Sequence, residues 1–241
     1  MHTVGVEKMH ISIVVILLVV IVTKHSNGYR NYVIRQMEQN LNDLKKMKWC
    51  EGNVQAKTGV TYVRWGRNTC AGDATLVYNG FMAGKHFASG GDGANILCLP
   101  KDPEWKRYAN GLNHLTSRIF GLEMDILHNN QAFGSSSNAK NMPCAVCKTS
   151  GRSAVLMVPG RMTCHSGWHK EFSGYLVAQA SQTGRTATEY ICADENLESV
   201  PGGDRDDNEA VLYPVEVGGC ATLKCPPYKK GRELTCAVCS Q

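Results

Sequence analysis

The residues most able to do chemistry in this chain are its cysteines, 11 among 241 residues. Ten of them fall between Cys70 and Cys239, and Cys50 stands apart. Two CxxC pairs, Cys144/Cys147 and Cys236/Cys239, raise zinc or dithiol chemistry. They lie 92 residues apart, whereas the knuckles of a zinc site converge from within roughly 20 residues. No βαβ pattern surrounds either pair, as a thioredoxin-type site requires. His165 and His169 have the spacing of two zinc ligands on a helix, but Ser166 stands where the glutamate belongs and Gly167 disfavours a helix. Asp204, Asp206, Asn208 and Glu209 suggest a calcium loop, yet Glu209 takes the place of the obligatory glycine and Val215 that of the closing glutamate. Gly90-Gly91-Asp92-Gly93 lacks the Lys-Ser/Thr of a phosphate loop. No Ser/His/Asp or Cys/His constellation is recognisable. The chain reads as non-enzymatic, with no catalytic residue, no metal site and no cofactor.

The cysteines instead follow an internal repeat. Gly66-Arg67-Asn68-Thr69-Cys70 returns as Gly160-Arg161-Met162-Thr163-Cys164, at an offset of 94. Tyr78-Asn79-Gly80-Phe81 matches Phe172-Ser173-Gly174-Tyr175 at the same offset. Cys70 and Cys98 are 28 apart, as are Cys164 and Cys192. Each copy closes on Cys-Ala-Val-Cys. The expected organisation is a first repeat at 57–147 and a second at 150–241. Each has one cysteine early, one in the middle and two at its end, so the terminal pair can tie back to the other two. Closing loops of this size restricts the unfolded chain by about 4 kcal/mol each. Cys220 and Cys225 occur only in the second copy and are expected to bond to each other.

The elements that position these residues read as strands. Residues 60–65 alternate, 154–158 form a short apolar run, and 76–78 and 175–178 are similar, with Gly, Asn, Ser and Pro between them. The fold expected is all-β: a tandem duplication of two disulfide-tied β-rich subdomains, preceded by a short helix. Residues 112–127 are read as a helical turn or two. Residues 29–50 form the helical stem, with Ile34, Met37, Leu41 and Leu44 stepping by three, four and three. That stripe suits either a short oligomerising seam or packing against the body. Cys50, at its end, is the candidate for an interchain bridge; a buried free thiol is the other reading.

Charge and composition narrow the partners. The net charge is +5, but residues 1–50 hold seven Lys/Arg against three Asp/Glu, leaving the body nearly neutral. That excludes a nucleic-acid footprint. A hydrophobic share of 43% excludes a disordered chain, and 24 glycines without a three-residue period exclude a collagen triple helix. The apolar run at 11–22 is short for a membrane span and suits a signal peptide over 1–28, a signal anchor being the alternative. Both deliver the cysteines to an oxidising compartment. The protein is expected to be secreted and extracellular, or membrane-anchored with an extracellular body if the segment is uncleaved.

Two copies ending in Cys-Ala-Val-Cys resemble the C-terminal non-collagenous domain of type IV collagen. The second copy carries the likeness in Met157-Val158, Cys164-His165-Ser166-Gly167-Trp168 and Gly174-Tyr175, and the first in Leu76-Val77-Tyr78-Asn79-Gly80 and Cys98-Leu99. The stretches 62–67, 150–153, Pro226-Pro227-Tyr228 and 231–235 are similar to the short-chain collagens of sponges and other invertebrates. The resemblance covers about 57–241. It implies bridges Cys70 to Cys147, Cys98 to Cys144, Cys164 to Cys239 and Cys192 to Cys236, leaving Cys220 with Cys225. It also implies a homo-oligomer, a trimer, and a structural or assembly role among extracellular matrix proteins. No Gly-X-Y tract precedes the repeats here. The rival reading is a secreted module recognising glycans or other surface ligands through exposed aromatics, with Trp65, Trp105 and Trp168 as candidates.

Overall fold

The two Cys-Ala-Val-Cys segments are strands, and that decides where their thiols go. Successive side chains on a strand face opposite ways. Cysteines three apart therefore leave by opposite faces, and each bonds a different neighbour rather than its CxxC mate. In the computed structural model, described over residues 27–51, 58–126, 132–134 and 138–241, β6 (Pro143–Lys148) and β11 (Thr235–Ser240) carry these segments.

Each is flanked by two antiparallel neighbours. β6 lies between β1 (Thr61–Trp65) and β2 (Thr75–Gly84). β11 lies between β7 (Val155–Pro159) and β8 (His169–Ala178). The β1 sequence, Thr-Tyr-Val-Arg-Trp, is the β-branched and aromatic mixture that a pleated surface favours. It ends at Gly66, whose φ of +85° only glycine adopts without strain. β7 ends the same way, at Gly160 with φ +77°.

β3 (Leu97–Pro100) pairs with β2, and β9 (Ile191–Asp194) pairs with β8. β4 (Phe120–Met124) touches the end of β2, with the two-residue β5 (Lys140–Asn141) beside it. β10 (Ala210–Pro214) runs parallel to β4 and antiparallel to the end of β8. β1 meets β9 at Trp65 and Ala193. The main strand order is β10-β4-β2-β6-β1-β9-β8-β11-β7, and the extra β10–β8 pairing closes a circuit within it.

The protein is thus mostly β, with five disulfides. Lys57–Gln241 forms one compact unit and the chain to Ala56 another. Its core mixes residues from both ends of the sequence. One buried cluster joins Met82, Leu122, Met124 and Met142 to Val177, Ile191 and Leu212. A second joins Tyr62 and Cys147 to Phe172, Leu176, Cys192 and Val238.

The helical turn expected at 112–127 is corrected: the described part of that stretch holds β4 and no helix. Leu115 is 95% exposed, whereas Leu122, Met124 and Ile126 are buried at every second residue. Leu112, Leu115 and Ile119 step by three and four before β4, but all are exposed and form no core-facing stripe. The helix read at 29–50 is α1 (Asn27–Glu51), and its Ile34, Met37 and Leu41 are exposed. The leader expected at 1–28 lies outside the described residues apart from its last two, which belong to α1. The side chains of Leu44 and Cys50 also lie outside them. Among the described residues, no helix is long and apolar enough to cross a membrane.

Candidate functional site

The ten body cysteines form five bonds. Cys70 bonds Cys147 and Cys98 bonds Cys144. Cys164 bonds Cys239 and Cys192 bonds Cys236. Cys220 bonds Cys225, five residues on. Cys144, Cys147, Cys236 and Cys239 are all fully buried. Sulfurs so bonded and so enclosed have no thiolate to offer a substrate or a metal.

The other chemistry candidates are dispersed. His165 lies in the turn before β8, where its carbonyl accepts the Trp168 N–H, and His169 is the first residue of β8. Among the described residues no group of three His, Cys, Asp or Glu could hold an ion. The acidic loop is ordered around a carboxylate that the sequence did not single out. Glu123, buried on β4, accepts the backbone N–H groups of Asp207 at 2.8 Å and Asn208 at 3.2 Å. Burial raises its pKa, against the lowering effect of those two N–H groups. Asp92 of the glycine-rich turn accepts from the Ser89 hydroxyl and the Arg118 N–H rather than facing an open anion cradle.

The aromatic candidates divide. Trp105 is 77% exposed. Trp65 packs on the first buried cluster and Trp168 on the cluster around Val158 and Cys239. The expectation that all three project into solvent is corrected for Trp65 and Trp168, because each roofs a disulfide-bearing core.

Sequence reasoning missed the charged groups that clamp distant parts of the body. Arg64 on β1 reaches Asp194 at the end of β9, with Nε and Nη2 each 2.7 Å from Oδ2. Arg67 meets Glu198 at 3.0 Å, and Glu198 also accepts the Asn68 N–H. Arg152 lies between Asp73, gripped by both Nη atoms, and Glu171, 3.1 Å from Nε. Glu171 is buried and accepts the Ser240 hydroxyl as well. Beside it the Tyr62 phenol is pushed well above its ordinary range, first by burial and then by the Glu171 carboxylate. None of these pairs lies close in sequence, so no local spacing announces them.

Several large apolar side chains remain accessible. Tyr108, Leu112, Leu115 and Ile119, between β3 and β4, are exposed together with Trp105. Leu76, Val77 and Phe81 on β2 and Leu97 on β3 are exposed too. No protein-family model matches the chain. The arrangement offers disulfide-tied strands with exposed apolar side chains.

Proposed function

We propose that this chain is a secreted, non-enzymatic assembly protein of the extracellular matrix, working as a homo-oligomer. Its body is a tandem duplication of two disulfide-tied repeats of the kind found in the C-terminal non-collagenous domain of type IV collagen. A trimer is the oligomer that this resemblance implies.

The observation that carries the reading is the recurrence of strands and bonds together. β1, β2 and β3 return as β7, β8 and β9, each 94 residues on, and β6 returns as β11 after 92. The bonds Cys70–Cys147 and Cys98–Cys144 return as Cys164–Cys239 and Cys192–Cys236. Matching spans and matching bonds support one repeat used twice. The exposed apolar side chains between β3 and β4 and along α1 support association, since a surface of this kind is usually covered in use. Five disulfides suit an oxidising compartment.

Light scattering on protein harvested from a secretory host tests the reading. A trimer is expected at micromolar concentration, partly dissociated by Ile34→Asp with Leu41→Asp. Any reducible high-mass band should vanish in Cys50→Ser. A monomer under these conditions overturns it. Trp105 keeps the recognition-module reading alive, and saturable glycan binding by a monomer would favour that reading instead.

A further inference from the structure

One nearly enclosed lysine has no counter-charge among the described residues. Lys85 follows directly on β2 and is only 4% exposed. Among the described residues, no hydrogen bond or ion pair reaches its ammonium. Its aliphatic stem is packed into the body while the ammonium keeps contact with solvent, as long charged side chains commonly do.

Lys85 lines a cleft of about 490 Å³. Asn95, Ser117 and Arg118 supply the rest of its polar wall, and Ile96 and Ile119 part of its apolar one. Among the described residues the guanidinium of Arg118, an exposed residue, is also without an ion pair. Of the two acids nearby, Asp92 feels the Arg118 charge without forming an ion pair with it. Asp92 accepts the Arg118 N–H at 2.9 Å and the Ser89 hydroxyl at 2.7 Å. Glu189 accepts the Ile96 N–H at 2.6 Å.

The corresponding position after β8 shows what is missing. Gln179, 94 residues on, lines its own cleft with Arg185, and its Oε1 accepts from Arg185 Nη1 at 2.9 Å. There the chain itself provides an acceptor for the cation. Beside Lys85 there are two cations, and among the described residues no carboxylate forms an ion pair with either.

We propose that the Lys85 cleft is a binding site for a small organic carboxylate. The carboxylate meets the Lys85 ammonium and the Arg118 guanidinium, and a short apolar body lies against Ile96 and Ile119. The mixed wall is the reason to name an organic acid rather than an inorganic anion. The volume suits a small molecule.

Calorimetric titration of the full, oxidised chain with hexanoate tests this, with hexan-1-ol and sulfate as comparisons. One saturable hexanoate per chain is expected, about tenfold tighter than either comparison. Lys85→Met should weaken hexanoate about tenfold while leaving thermal stability unchanged or higher. Should that variant fail to fold, Lys85→Gln, which copies the residue after β8, reads the same loss. Equal binding of the alcohol, equal binding of sulfate, undiminished binding by the folded lysine variants, or no saturation overturns the proposal. The site makes no use of the assembly surfaces, so its failure leaves the oligomer reading untouched.

Discussion

Arg64 and Asp194, 130 residues apart, form an ion pair whose carboxylate is almost wholly enclosed, its side chain 2% exposed against 13% for the arginine. Asp194 also accepts the Asn196 N–H. Such a pair contributes little over a well-packed apolar replacement, but removing one partner strands the other. Arg64→Ala is expected to cost about 3–5 kcal/mol. The double variant Arg64→Met/Asp194→Leu should recover most of that. Urea unfolding of the single and double variants checks it, and a double variant no better than Arg64→Ala would show the carboxylate to be solvated after all.

Gly80 on β2 and Gly174 on β8 each lie under a neighbouring strand's carbonyl. A Cβ at Gly80 would stand 1.7 Å from the Leu99 oxygen, and one at Gly174 would stand 1.8 Å from the Ala193 oxygen. No rotamer relieves a clash with backbone, so each alanine must prise its strand pair apart. Gly80→Ala and Gly174→Ala should each destabilise by about 3 kcal/mol, the upper part of the usual range for overpacking. A loss below about 1 kcal/mol for either would refute the close approach.

Two carboxylates should act on opposite sides of the acid stability profile. The hydrogen bond from Arg152 holds the Asp73 carboxyl below its ordinary range. Its stabilising effect is therefore present above the unfolded carboxyl range and lost as pH falls through the folded value. Burial raises Glu123 instead. Its effect on stability is most favourable at low pH and declines as pH rises through the folded value. Unfolding midpoints measured from pH 2 to 7 should show Asp73→Asn flattening the acid loss. Glu123→Gln should gain relative to wild type as pH rises. The reverse ordering would contradict both assignments.

The bridges differ in the chain they close. Cys98–Cys144 spans 46 residues and Cys220–Cys225 spans five. Replacing the first pair with serine should cost about 4 kcal/mol and the second about 2 in the loop-closure model. Thermal unfolding of the two double variants, with the remaining bonds verified by non-reducing peptide mapping, tests the order.

Much of the β framework was legible because its signals are local. The alternation at 60–65 and the apolar run at 154–158 mark β1 and β7, and the repeated cysteines mark β6 and β11. The stretch 112–127 was misread as a helical turn or two, although Leu112, Leu115 and Ile119 step by three and four without facing a core. Their exposure shows that they face no core, while Leu122 and Met124 do. Trp65 and Trp168 were placed in solvent because an aromatic's burial depends on neighbours far along the chain. Lys85 and the Arg64, Arg152 and Glu123 contacts escaped for the same reason. Their partners, or the lack of them, exist only once the strands have been brought together.

The parallel ladder of β10 on β4, from Ala210 opposite Leu122 to Leu212 opposite Met124, sets a timetable for synthesis. When Met124 leaves the ribosome, the strand meant to cover that side of β4 has not been made. At about 5–20 residues per second, β10 follows some seconds later. Throughout that interval the nascent chain presents Leu122 and Met124 incompletely covered, next to the still exposed Leu112, Leu115 and Ile119. Translation rate across the 85 residues between these strands, and the chaperones able to hold the chain meanwhile, should therefore govern how much of this protein matures correctly.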